Sequence, residues 1–271
     1  MLFRSAVGAF FRGDLRREHD LFLESQEIGE RLGDPRIVRF VRGNLVFSKR
    51  ALGQWDVALA AADAFIAECE SGSPHYLEQR VRVERADINL ARGDVDAALE
   101  DYRRALERVR SSTEPQVLAP TLGQACRALM LLGRVDEARP LAHEFLSVLE
   151  GQRERRNSVG MIADFAEELG IAGEVRELMA NAAGTPWKET VLALLDGDFV
   201  RAADVFRSMH WVAREAEVRL LAAERLIRAG RHTEGEAEAE KALAFFRSVR
   251  ATFFVERAEK LLADSVQRES A

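Results

Sequence analysis

Gly53-Gln-Trp-Asp-Val-Ala58, Gly93-Asp-Val-Asp-Ala-Ala98 and Gly133-Arg-Val-Asp-Glu-Ala138 are three copies of one phrase set 40 residues apart. Gly13 and Gly173 extend the same interval in both directions, giving five glycines in step. A constant period of this size marks a chain built by stacking one supersecondary unit on the next. Stacked helical units form long binding surfaces more often than catalytic pockets, so the period also narrows the functional question.

Each unit reads as two amphipathic helices. In the third, Leu77, Val81, Val83, Ala86 and Leu90 keep a 3–4 spacing across the segment from Tyr76 to Arg92. Gly93 then supplies the tight turn. Asp94 caps a second helix through its side-chain oxygen, with Val95, Ala98, Leu99, Tyr102, Ala105, Leu106 and Val109 on one stripe. Breaks follow at Ser111-Ser-Thr-Glu-Pro115, and earlier at Gly33-Asp-Pro35 and Gly72-Ser-Pro74. Five positions after the glycine stand Ala58, Ala98, Ala138 and, in a later unit, Ala202; twelve after it stand Phe65, Ala105 and Phe145. The alanines let the second helix approach the first closely, and the larger residues fill the core between units.

The 271 residues, 47% hydrophobic and 31% charged, suffice for a large core. Net charge −6 argues against a dedicated nucleic-acid binder. Four lysines stand against 35 arginines, a bias that fits a GC-rich bacterial genome. Cys69 and Cys126 lie inside helical stretches and read as reduced core residues, which suggests a cytoplasmic chain. No apolar run approaches the ~20 residues that cross a bilayer. The opening Met1-Leu-Phe-Arg-Ser-Ala-Val-Gly-Ala-Phe-Phe11 reads as half a helix rather than a signal peptide.

The pattern resembles the tetratricopeptide repeat, in which a glycine between two helices is followed by a small residue in the second. The matching positions are Gly53/Ala58/Phe65, Gly93/Ala98/Tyr102/Ala105, Gly133/Ala138 and Gly197/Ala202/Phe206. The family's period is about 34 residues, so this chain is a divergent case, and the Trp-x-x-Leu-Gly signature of the first helix is absent. The resemblance implies an all-α, right-handed superhelical solenoid of about seven antiparallel helix pairs. Residues 1–180 should form five pairs at the 40-residue period, the first helix clipped. Residues 181–271 should form shorter pairs and a closing helix in the same solenoid, with a local change of direction near Asn181-Ala-Ala-Gly-Thr-Pro-Trp187; a domain boundary there is the competing reading.

The stretch Ala242-Leu-Ala-Phe-Phe-Arg-Ser-Val-Arg-Ala-Thr252 is similar to the tails of bacterial LuxR-type and ATPase-linked regulators, with Arg250 where those tails carry glycine. That resemblance implies a sensor or partner platform for an effector domain in a longer chain. The clipped first helix, with Leu2, Phe3, Val7, Phe10 and Phe11, is expected to be exposed. Such an end points to excision from a longer protein or to a homodimer through that helix.

Catalytic patterns are missing: no Walker-type phosphate loop, no His-Glu-x-x-His, no Cys-x-x-Cys and no Gly-x-Ser-x-Gly occurs. The five histidines show no ligand spacing, and neither a metal nor a cofactor is expected. Arg153-Glu-Arg-Arg156 reads as a solvated loop or a contact for phosphates or an acidic peptide. The resemblance implies, by the register usual in tetratricopeptide repeats counted back from each glycine, that Phe40, Phe47 and Arg50 lie on the concave face, with Arg80 and Asp87, then Arg127 and Met130, and Glu167 in the fifth unit. Phenylalanines beside arginines suit an extended peptide or helix. The competing reading turns Phe40 and Phe47 into the inter-helix core, since one residue of register moves a side chain by about 100°. The expected function is a non-enzymatic protein- or peptide-binding scaffold with an open groove; the alternative is a small-ligand sensor whose superhelix encloses an effector.

Overall fold

The computed structural model describes residues 2–111, 115–150 and 158–269, and these are all-helical with tight turns. Seven helix pairs and a closing helix follow one another. The first four pairs are α1 (Leu2–Phe11) with α2 (Leu15–Arg31), α3 (Pro35–Ala51) with α4 (Trp55–Glu70), α5 (Glu78–Ala91) with α6 (Val95–Arg110), and α7 (Pro115–Leu131) with α8 (Val135–Glu150). A 3-10 turn (Ala163–Phe165) leads into α9 (Ala166–Leu169), which pairs with α10 (Ala172–Ala180). Then come α11 (Pro186–Leu195) with α12 (Phe199–Ser208), α13 (Val212–Arg228) with α14 (His232–Ser248), and α15 (Thr252–Glu269). The Arg153–Arg156 run lies outside the described residues.

The repeat phrase does locally what its chemistry dictates. The Asp94 carboxylate accepts from the Ala97 amide at 3.2 Å, and Asp14 and Asp198 do the same for Arg17 and Arg201 at 3.0 and 3.1 Å. Ala58, Ala98, Ala138 and Ala202 are completely buried, as are Phe65, Ala105 and Phe145. Cys69 and Cys126 are buried free thiols. Two details depart from the sequence reading. The fifth turn is made by Gly170, at φ +75°, while Gly173 lies within the first turn of α10. Arg250 takes the left-handed conformation itself, at φ +59°, so the turn into α15 keeps the geometry that glycine would give.

The solenoid closes on itself. The turn of the first pair lies against the sixth: the Trp187 indole N–H donates to the Phe10 carbonyl at 2.9 Å, and a Cβ on Gly13 would stand 3.1 Å from Met209. The second turn lies against the seventh pair, where a Cβ on Gly53 would meet Phe245 at 3.1 Å, and Trp55 packs edge-to-face on that ring. The third lies against the start of α15: the Thr252 hydroxyl donates to the Arg92 carbonyl at 2.7 Å, and Arg92 donates to the Val249 carbonyl. Asp56 accepts from both Arg92 and Arg250 across this seam, at 2.6 and 2.5 Å. Each of these units therefore meets the one five places later. Gly53, at φ +80°, serves twice, as a left-handed turn residue and as a site of close approach.

Candidate functional site

Closure fills most of the concave face. Arg50 on α3 is 5% exposed and reaches Glu84 at 2.6 Å and Asp87 at 3.0 Å on α5. Asp87 also accepts from the Tyr102 hydroxyl and from the Gln124 amide at 2.9 Å. Burial and the neighbouring Asp87 charge push the Tyr102 hydroxyl well above its ordinary pKa, so it remains a donor. Arg127 on α7 meets Glu217 on α13 at 2.5 Å. Arg214 then joins Glu217, at 3.2 Å, to Asp164, at 2.8 Å, and donates to the Gly160 carbonyl. The result is a buried polar spine from α3 to α13 in which each guanidinium faces carboxylates.

Of the residues expected to line a groove, Phe47, Arg50, Asp87 and Arg127 do face the inside of the superhelix, but they are met there by the chain itself. Phe47 is buried edge-to-face between Phe10 and Trp211, with centroids at 5.8 and 5.6 Å. Met130 is core. Glu167 is exposed on α9, and the cause is the shifted turn glycine. Six residues before Gly53, Gly93 and Gly133 stand Phe47, Asp87 and Arg127; six before Gly170 stands Asp164, which is the inward residue of the fifth unit. Counting from Gly173 moved the register by three.

Phe40 and Arg80, each thirteen residues before its glycine, are placed otherwise. They border a cavity of about 1070 Å³ at the N-terminal end of the superhelix. Its walls are mainly apolar: Val7 and Phe10 from α1, Phe22 from α2, Val41 from α3, and Leu77 before α5. Phe11, Ile37 and Tyr76 stand partly exposed around it, Phe11 at 39%. The α1 helix is thus half wall and half core, with Ala6 and Ala9 buried against α2 and α3. The side chain of Phe3 is outside what the structure describes. A second, smaller space of about 90 Å³ shares Phe10, Phe11 and Arg80 with the first and is lined by Trp187, Phe206 and Trp211.

Four acidic or basic side chains border this cavity; Asp34 and Arg36 pair with each other, whereas Arg80 and Glu18 have no such partner among the described residues. The Arg80 guanidinium lies over the Phe47 ring at 5.2 Å and, among the described residues, has no hydrogen bond or ion pair. Glu18 on α2 is 4% exposed, and its Oε2 is buried without a hydrogen-bond partner. Burial raises the Glu18 carboxyl to about 8, against the opposing pull of Arg80. Glu18 was absent from the sequence reading, yet a signal existed. It stands five residues after Gly13, the position that holds alanine after Gly53, Gly93, Gly133 and Gly197. Among the described residues no group of three or more His, Cys, Asp or Glu side chains could hold a metal ion, and no helix is long and apolar enough to cross a membrane.

No protein-family model and no curated protein matches this chain. Solved structures do. A Rap protein complexed with competence and sporulation factor superposes with a TM-score of 0.68 over 97% of this chain and 75% of its own, at 14% identity. A tetratricopeptide repeat protein from Parabacteroides merdae ATCC 43184 matches over 98% of this chain and 97% of its own, at 15% identity and a TM-score of 0.43. The chain has an all-α helical-repeat fold, closed into a superhelix with an apolar cavity at its N-terminal end.

Proposed function

We propose that the chain is a non-enzymatic protein- or peptide-binding module that takes a short, largely apolar segment into the cavity between α1, α2, α3 and the start of α5. The observation that carries this reading is the cavity itself: large, apolar, edged by Phe11, Ile37 and Tyr76, and left open where the rest of the concave face is filled. Its volume of about 1070 Å³ lies just above the roughly 300–1,000 Å³ usual for ligand sites, enough for several side chains of an extended peptide. The likeness to a Rap protein solved with a bound factor supports a binding role for this architecture. The tail resemblance to LuxR-type and ATPase-linked regulators supports a regulatory setting beside an effector domain. The net charge of −6, with the inner arginines of the spine paired to carboxylates, favours no nucleic acid.

A second reading, a small-ligand sensor, is favoured by the seam at Asp56, which ties the third turn to the start of α15 and gives a bound effector something to loosen. Panning a random peptide library on the immobilised chain tests the first reading. Selected peptides should be rich in apolar residues, bind one to one and raise the melting temperature. Phe40→Ala should weaken them about tenfold or more while helicity is unchanged. Peptides that bind the Phe40 variant equally well would place the site elsewhere.

A further inference from the structure

We infer that the cavity reads a carboxylate on an otherwise apolar ligand, held jointly by the Arg80 guanidinium and the Glu18 carboxyl. The inference rests on the cavity being the ligand site. The arginines of the spine each have a carboxylate: Arg50 has Glu84 and Asp87, Arg127 has Glu217, and Arg214 has Asp164. At the cavity edge Asp34 and Arg36 hold each other at 3.2 Å. Arg80 alone among these inner guanidinium groups is left with its donors unused, beside a buried carboxyl that also lacks a partner. Glu18 further breaks the alanine register of its repeat, so a charged group stands where packing alone asks for a small one.

The sign of the missing ligand group follows from what faces Glu18. Arg80 and Glu84 are its charged neighbours on α5, and Glu84 is neutralised by Arg50. Asn44 of α3 donates to the Phe40 carbonyl, and the α1 side chains at the cavity are apolar. With the Glu18 carboxyl holding its proton at neutral pH, the free charge in the cavity is the +1 of Arg80. A ligand cation would be opposed by Arg80. A carboxylate would be matched by the forked guanidinium donors and could take the Glu18 O–H on its second oxygen. Binding should then weaken as the pH rises through about 8, when Glu18 becomes an anion facing an anion.

Calorimetric titration of the whole chain with four ligands decides the point. Two are pools of acetylated hexapeptides of random Leu, Val, Phe and Ser sequence, one as free acids and one as C-terminal amides. The others are decanoate and decanol. The expected result is at least tenfold tighter binding of the acid than of its neutral counterpart, abolished in Arg80→Ala, with a loss above pH 8 that is absent in Glu18→Gln. Preference within the peptide pair identifies a peptide terminus as the source, and within the decanoate pair a lipid-like acid. Equal binding of the free acids and amides, with decanoate no better than decanol, overturns the inference and leaves the peptide reading standing. If no peptide binds while decanoate binds and decanol does not, the carboxylate inference stands and the peptide reading falls. If none of the four binds, both fall. Circular dichroism of Arg80→Ala separates lost binding from lost folding.

Discussion

The spine and the cavity are made from the same inward-facing register of the same repeats, yet they end in opposite states. Asp87 and Arg127 sit six residues before their glycines and each finds a partner; Arg80, thirteen before Gly93, finds none. The difference lies in what comes back to meet them. Helix α13 returns across α3 and α7 and brings Arg214 and Glu217 to the spine. Among the described residues no later helix brings a carboxylate to Arg80 at the N-terminal end, where the facing surface is the apolar side of α1. An inward polar residue in a solenoid is therefore structural or available according to whether a later unit reaches it.

Substitutions can break or sharpen this contrast. The largest effect is expected at the spine. Arg214→Ala leaves Asp164 and Glu217 buried beside an incomplete set of cations, and should cost roughly 3–5 kcal/mol in denaturant unfolding. At the cavity the sign reverses. Glu18 keeps its proton to about pH 8 in the folded chain but releases it near 4.5 when unfolded. The folded state thus holds an extra proton between these values, and stability falls as pH rises from 4.5 to 8 and is level beyond. Glu18→Gln should match the wild type below pH 4.5 and exceed it by the order of 2–4 kcal/mol at pH 9, judged by paired thermal unfolding curves. A comparable gain at pH 4 would show that the effect is packing rather than charge.

Ala98→Phe tests the repeat rather than its interior. Ala98 is completely buried against Val83, Ala86 and Leu90, so a ring there should overpack by about 1–3 kcal/mol, read as a lower melting temperature with α-helical content retained. The smallest effect is expected at the solvent-facing seam. Asp56→Ala should leave the global transition unchanged and speed amide exchange around Val249–Thr252, where Arg92 and Arg250 lose their shared acceptor. Unchanged exchange there would mean that Thr252 and the Gly93 contact hold the seam without Asp56.

Much of the fold was legible in the chain because it is written locally. Turn glycine, aspartate cap and buried alanine act within one unit, and Gly93, Asp94 and Ala98 stand where their chemistry puts them. The fifth unit misled because Gly170 and Gly173 are one helical turn apart, and the 40-residue interval chose the one inside α10. That single slip exchanged exposed Glu167 for buried Asp164. The site was half legible. Register counting put Phe40 and Arg80 on the inner face, where they border the cavity, but the partner of Arg127 lies 90 residues away on α13, beyond any pattern within a unit. Glu18 was visible as the one charged residue at an alanine position, a mismatch that shows only when the copies are laid side by side.

The five-place offset between stacked turns sets how this molecule can melt and how it can change by recombination. Open repeat arrays fray from their ends and tolerate the gain or loss of a unit, because each unit touches only its neighbours. Here the first, second and third turns are each bonded or packed to a unit far along the chain. Deleting one 40-residue unit would slide every one of those seams out of alignment together. The chain should unfold in one cooperative transition, and its length is as fixed as that of a closed ring.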